Sequence, residues 1–265
     1  MTIAGSDPSG GAGIQADIKT ITMHGMYAMS VITAITAQNT TGVYETEAVA
    51  PELVEQQLDC VLRDIPPDAV KIGMLQSRET VLCVANKLRE YAVKHIVLDP
   101  VLCSTSGTPL LAPGAEEAMQ EELFPLAELI TPNLPEAEHL CGSKLLSGGD
   151  ILGAAERLAM RYGCGVLLKG GHRQGKCSTD LLFYQKRALW YCAPRKESSN
   201  THGTGCTLSS AIACGLAAHF TLPRAVGIGK RYLTGALCAG LNLGKGNGPL
   251  DHCWNLIIRN NICES

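Results

Sequence analysis

Short stretches of this chain carry residues suited to holding a phosphate. The first is Asn200-Thr201-His202-Gly203-Thr204-Gly205-Cys206, which leads into Leu208, Ile212 and Leu216 at the i, i+4, i+8 spacing of one buried helical face. Glycines just before a helix leave backbone N–H groups free to converge on an anion, and the helix dipole adds partial positive charge there. The same field is expected to lower the pKa of the Cys206 thiol in the first turn. The bland alternative is a glycine-rich helix start with a buried structural cysteine.

A second stretch, Gly5-Ser6-Asp7-Pro8-Ser9-Gly10-Gly11-Ala12-Gly13, is spaced G-G-x-G rather than G-x-G-x-x-G, so a dinucleotide fingerprint is not supported. It reads equally as a tight turn or as a loop against a ligand. Asp17, on the helix that follows, faces either a pocket or water. In Thr131-Pro132-Asn133-Leu134-Pro135-Glu136-Ala137-Glu138, Asn133 and Glu136 stand three residues apart on a loop running into a helix and share one face. Such a pair suits Mg²⁺ held partly through water, or simply caps the helix. Asp99 is a second metal candidate. Lys169 is either a cation for phosphate or a surface lysine lying along its own stem. A Walker A lysine motif is absent, and the seven histidines lack metal-ligand spacing, so they read as solvated or structural.

These residues need elements to bring them together. Short β-type runs are expected at 2–4, 30–35, 69–74, 95–98, 129–131 and 166–168, with a hairpin at 180–184 and 188–192. Helices are expected at 14–23, 52–63, 79–93, 113–122, 150–161, 206–219 and 223–241. Strands alternating with helices of this length imply a mainly parallel sheet covered on both faces, with the ligand outside the carboxyl ends of the strands. The residues following the strands include Gly5–Gly13, Gln38–Thr40, Asp99-Pro100, Pro132-Asn133 and Lys169–His172, so the suggestive chemistry falls on one rim. No long Ser/Gly/Pro linker, repeat or low-complexity tract interrupts the pattern. One α/β domain across residues 1–265 is expected.

Composition narrows the function. With 46% hydrophobic, 18% charged and 5% aromatic residues, the chain has an ordinary soluble-enzyme make-up. A net charge of −3 argues against nucleic acid. The 12 cysteines are scattered through apolar segments with no C-x-x-C pair, as expected of free thiols in a reducing cytoplasm. No targeting sequence and no membrane span are expected.

Together the motifs resemble the phosphomethylpyrimidine kinases of thiamine biosynthesis, in the ribokinase-like superfamily. The resemblance rests on Thr2–Thr20, Ser30–Thr40, Lys71–Leu75, Leu129–Ala137, Leu168–His172, His202–Ala211 and the closing Gly246–His252. It implies ATP and Mg²⁺ as cofactors, a homodimer, and transfer of phosphoryl groups onto 4-amino-5-hydroxymethyl-2-methylpyrimidine and then its monophosphate. By the same resemblance, Gln38 meets the aminopyrimidine edge and Met74 and Val101 pack on the ring, with Gly5 and Asp17 nearby. Gly203, Thr204 and Gly205 form the anion hole, and Cys206 stands where related enzymes carry an aspartate base. Asn133, Lys169 and Glu136 contact the nucleotide, with Glu136 and Asp99 near the metal.

Three positions depart from the family pattern. The lid segment reads Asp99 to Gly107 with Thr105 where a lysine is usual, Asp251 replaces an asparagine, and the first strand lacks its usual leading residues. The nearest rival is a pyridoxal kinase that shares the G-T-G-C site and carries a lid cysteine. Cys103 stands one position early for that role, and Ser104 occupies the matching place. A non-catalytic vitamin-binding protein on the same fold would need a broken catalytic set, and a redox protein would use the many thiols.

Overall fold

A computed structural model describes residues 1–102, 110–172, 176–195 and 198–256. The lid residues Cys103, Ser104, Thr105 and Gly107 lie outside them. Nine strands make one sheet: β1 (Thr2–Ser6), β2 (Ser30–Asn39), β3 (Gly42–Ala48), β4 (Val70–Ile72), β5 (Ile96–Leu98), β6 (Leu129–Ile130), β7 (Gly165–Leu168), β8 (Cys177–Tyr184) and β9 (Arg187–Pro194), in the order β3-β2-β1-β4-β5-β6-β7-β8-β9. The pairings from β2 through β1, β4, β5 and β6 to β7 are parallel. The edge pairs β2–β3, β7–β8 and β8–β9 are antiparallel.

The central strands are short and apolar because both of their faces are covered. Successive residues go to opposite sides. Ile96, Leu98, Ile130, Val166 and Leu168 enter one core, which α2 (Pro51–Asp64), α3 (Arg78–Glu90) and α6 (Gly148–Tyr162) cover with Val54, Leu58, Val84, Leu88, Ala154 and Leu158. Val97, Leu129 and Leu167 enter the other, beneath Leu208 and Ile212 of α7 (Thr204–Ala217) and Val226 of α8 (Leu222–Cys238). Helices α1 (Gly13–Met23), α4 (Ala115–Ala118) and α5 (Leu134–Cys141) complete the set among the described residues.

Expectation and structure differ in informative places. The strand expected at 30–35 runs on to Asn39, so Gln38 projects from a strand rather than following one. Its partner β3 went unexpected because Glu45, Thr46 and Glu47 alternate along a solvated edge with no apolar face to mark them. The helix expected at 113–122 is the single turn α4 followed by a π turn at Met119–Leu123.

Helix α7 is buried on nearly every side, since it lies among the sheet, α1 and α8. Gly215 makes that possible: a β-carbon there would stand 2.7 Å from Ala225 Cβ and 2.9 Å from Ala225 Cα. Gly215→Val is therefore expected to lower stability by about 1–3 kcal/mol through overpacking, read as a lower urea midpoint with an unchanged slope.

Candidate active site

A cleft of about 1020 Å³ opens at the carboxyl ends of the parallel strands. Its lining includes Gly5, Gln38, Met74, Asp99, Val101, Asn133, Glu136, Lys169, Gly203, Thr204, Gly205 and Cys206. Asp17, also singled out from sequence, is not among them.

The floor of the cleft is the start of α7. Gly203 caps the helix in the left-handed conformation (φ 80°), with no side-chain cap hydrogen bond. A β-carbon on Gly203 would lie 1.8 Å from Gly11 O, so the two glycine loops touch backbone to backbone. At Gly205 a β-carbon would lie 2.8 Å from Asp99 Oδ2 and 3.4 Å from Lys169 Nζ. The closing segment Gly246–His252 holds this helix start from behind. His202 N donates to Gly248 O at 3.1 Å, Thr207 Oγ1 bonds His252 Nε2 at 3.0 Å, and Tyr232 Oη donates to His252 O at 2.7 Å. Burial drives the His252 pKa down to about 4, so that ring is neutral.

Two buried lysines flank the helix start. Lys71, on β4, is fully buried and pairs with Asp17 at 2.8 Å. Asp17 also accepts from Thr2 Oγ1 at 2.6 Å and Ser210 Oγ at 2.8 Å. This corrects the expectation for Asp17: it faces neither substrate nor water, but fixes Lys71, whose importance sequence reading missed. Lys71 is a charged residue in the middle of a strand otherwise made of core residues, and that anomaly was the available signal. Burial opposes the Lys71 charge, but Asp17, Cys206 and Asp99 outweigh it and hold its pKa above the usual value.

Lys169 follows β7 and donates to Asp99 Oδ1 at 2.5 Å, with Thr131 Oγ1 on the same oxygen at 2.9 Å. Burial opposes this lysine too, and Asp99 and Glu136 together raise its pKa. It is a paired cation at the cleft, not a surface lysine. The Lys169 N–H bonds Pro132 O at 2.9 Å, which sets Lys169 beside Asn133. Asn133 and Glu136 form a reciprocal capping box on α5, at 2.9 Å and 2.7 Å. The capping alternative is thus realised, and it locks the Glu136 carboxyl in place at the cleft. Burial pushes the Glu136 pKa up, Asp99 adds to this, and Lys169 opposes it.

Cys206 departs from expectation. Burial raises its thiol pKa, although Lys71 and the Gly13 N–H pull the other way. The field of the helix start is outweighed by desolvation, so the resting group is a thiol.

Of the two readings for the histidines, solvated or structural, His202 follows the second, and it also lines the cleft. It is buried, and its Nε2 lies 2.8 Å from Asp7 Oδ2. Burial alone would raise the Asp7 pKa, but His202, Ser9 and the Ala12 N–H bring it below the usual value. Asp7 thereby organises the first glycine loop, accepting from Ser9 N, Gly11 N and Ala12 N.

Among the described residues, no group of three or more His, Cys, Asp or Glu side chains is placed to hold a metal. Of the carboxyl groups lining the cleft, Asp99 and Glu136 are the pair that faces Lys169 near the start of α7. That set fits Mg²⁺ held largely by water and phosphate oxygens better than a protein-caged ion. A buried carboxyl disfavoured as an anion is also one that a divalent cation would relieve. No helix among the described residues is long and apolar enough to cross a membrane, and every described cysteine is a free thiol.

The family model of phosphomethylpyrimidine kinase matches residues 7–251. The chain is 48% identical over 252 residues, 95% of its length, to the thiamine biosynthesis bifunctional protein ThiED of Geobacter sulfurreducens, and it spans about half (51%) of that protein. It is 48% identical over 255 residues to the hydroxymethylpyrimidine/phosphomethylpyrimidine kinase of Rhizobium meliloti, covering 95% of this chain and 96% of that one. The ADP complex of Bacillus subtilis pyridoxal kinase superposes with a TM-score of 0.89 at 32% identity, covering 97% of both chains. The fold is the ribokinase-like one. With the match running from Asp7 of the first glycine loop to Asp251 of the closing segment, this chain belongs to the phosphomethylpyrimidine kinase family.

Proposed function

We propose that this protein transfers the γ-phosphoryl of ATP to 4-amino-5-hydroxymethyl-2-methylpyrimidine and then to its monophosphate, as one ribokinase-like domain supplying the diphosphate for thiamine biosynthesis. The observation that carries this reading is the start of α7, which has a glycine cap and no side-chain cap hydrogen bond, set between Lys71 and the Lys169–Asp99–Glu136 group in a single cleft. The named kinase relatives, matched over nearly their full length, support the choice of substrate. A cytoplasmic homodimer using Mg²⁺ completes the proposal.

In this reading the pyrimidine lies against Gln38, Met74, Val101 and Gly5, with its hydroxymethyl group at Cys206. The N–H groups of Gly203, Thr204 and Gly205 face the transferring phosphoryl, and Lys169 meets the charge on its oxygens. Asn133 and Glu136 lie on the nucleotide side. Mg²⁺ bound near Glu136 and Asp99 would neutralise charge on the phosphates. Phosphoryl transfer passes through a loose transition state, so the alcohol needs orientation more than deprotonation. A neutral Cys206 thiol suits orientation. Lys71 beneath it stabilises any negative charge that develops at the sulfur as the alcohol loses its proton.

Pyridoxal phosphorylation is the second reading, favoured by the structural likeness to pyridoxal kinase. The distinguishing lid positions, Cys103 and Ser104, lie outside the described residues.

The direct test is ATP-dependent phosphorylation of the aminopyrimidine alcohol, its monophosphate and pyridoxal side by side, with products identified by mass. Conversion of the monophosphate to the diphosphate is expected; turnover of pyridoxal alone would overturn the substrate assignment. Cys206→Ala is expected to lower kcat by about 10- to 100-fold through lost positioning of the alcohol, with KM for ATP nearly unchanged. Steady-state kinetics on both substrates would check this.

Glu136 gives a prediction on stability. Its carboxyl pKa is about 7 when folded, against an ordinary 4.5. Between those values the folded state holds a proton that the unfolded state has released, so stability falls as pH rises through that window. Glu136→Gln keeps the acceptor for the Asn133 N–H and removes the charge. In chelator and without nucleotide, it should raise the melting temperature near pH 8 and have a smaller effect near pH 5.

A further inference from the structure

We infer that Asp7 and His202 set the polarity of the Gln38 amide, and that this polarity selects a substrate with a hydrogen-bond donor next to its hydroxymethyl group. The inference rests on the proposed kinase reading and deepens it. Neither Asp7 nor His202 need touch the reacting atoms. They are positioning residues acting through Gln38.

The argument starts at Asp7. Its carboxylate is buried, its pKa is lowered, and Oδ2 already accepts from Gly11 N at 3.1 Å and Ala12 N at 2.8 Å. An ionised carboxylate only accepts, so His202 Nε2, at 2.8 Å, must carry the hydrogen between them. This holds whether the ring is neutral or charged. The Gln38 amide ends 3.4 Å from the same Nε2, with its nitrogen on that side, and its oxygen lies 3.2 Å from Thr36 Oγ1. Two N–H groups would then oppose each other. Meanwhile Thr36 Oγ1, which has one hydrogen, would have to serve both Ser6 O at 3.0 Å and the Gln38 oxygen. A half-turn of the amide ends the donor–donor contact and leaves the Thr36 hydrogen a single acceptor. The Gln38 oxygen then faces the His202 N–H, the Gln38 nitrogen donates to Thr36 Oγ1, and Thr36 donates to Ser6 O. The His202 hydrogen, directed at Asp7 Oδ2 at 2.8 Å, is shared with the Gln38 oxygen now at the 3.4 Å position, and the Thr36 hydrogen goes to Ser6 O alone.

The consequence is a directed edge in the cleft. On the side of His202, which adjoins Gly203 and the anion hole, Gln38 presents an acceptor; on the Thr36 side it presents a donor. A substrate whose hydroxymethyl group reaches Cys206 therefore places its ortho substituent toward the Gln38 oxygen. In the aminopyrimidine that substituent is an amino group, which donates, and the ring nitrogen beyond it accepts from the Gln38 nitrogen. In pyridoxal the ortho substituent is an aldehyde, whose oxygen would oppose the Gln38 oxygen. An unmatched acceptor pair at this partly buried site costs on the order of 10-fold in affinity once the substrate covers it.

The test compares wild type, His202→Gln and His202→Leu by calorimetric binding of the aminopyrimidine alcohol and of pyridoxal, together with KM and kcat for both. Glutamine replaces the Nε2 donor with an amide that can reach both Asp7 and the Gln38 oxygen; leucine removes the donor at similar volume. Wild type and His202→Gln should prefer the aminopyrimidine. His202→Leu should lose about 10-fold of that preference, mainly in Kd and KM rather than kcat. Thermal unfolding screens each variant, and His202→Met replaces the leucine variant if that one does not fold. Equal preference in all variants overturns the inference, as does equal loss in the glutamine and leucine variants, which would mean that ring packing alone matters. Failure of wild type to bind the aminopyrimidine would instead overturn the kinase reading on which this rests.

Discussion

The cleft depends on how closely two loops from opposite ends of the chain approach. The backbone of Gly203 lies against Gly11 O with no room for a β-carbon, and at Gly205 a β-carbon would crowd the Asp99 carboxylate. Any side chain at either point would push the start of α7 away from the first glycine loop. The helix would then still form, but its N-terminal N–H groups would point at nothing. The closing segment and the buried Asp7–His202 pair hold this contact shut from both sides.

Charge in the cleft follows from that packing. Lys71 and Lys169 are both buried beside the helix start, and each is kept charged by a carboxylate of its own. A buried ammonium is tolerated only with such a partner, and the partner also fixes where the cation stands. The two pairs play different parts. Asp17 is wholly consumed by Lys71, Thr2 and Ser210, so that pair is a rigid support under Cys206. Asp99 keeps one oxygen directed toward Gly205, so the second pair belongs to the ligand space.

Desolvation works against charge on all four buried groups; the lysines keep theirs because carboxylates face them, whereas on Cys206 and Glu136 burial outweighs the neighbouring cations. A helix N-terminus lowers a thiol pKa when solvent shares the site; here solvent is excluded and burial dominates. Phosphoryl transfer tolerates a weak base because positioning and charge neutralisation do most of the work. A buried thiol at this position is therefore compatible with the chemistry, whereas a site that relied on proton abstraction would need a stronger acceptor.

Much of this was legible in the residues. Alternation of short apolar runs with amphipathic stretches determined a parallel sheet covered on both faces, since period and length are local properties. Glycine spacing and the Asn133–Glu136 interval marked the rim, because each motif is contiguous in sequence. Three things needed the tertiary structure. The strand β3 has no apolar face, so only pairing with β2 defines it. Asp17 sits one helical turn beyond the glycine loop, and whether it meets substrate or Lys71 depends on the rotation of α1 against the sheet. His202 is far in sequence from Asp7 and Gln38, and its part in the cleft exists only once β1, β2 and the start of α7 converge. Sequence sets which groups are available and which local shapes they favour. Burial and long-range contact decide which of them are charged, which are paired and which remain to meet a ligand, because those energies depend on neighbours that the chain brings together only on folding.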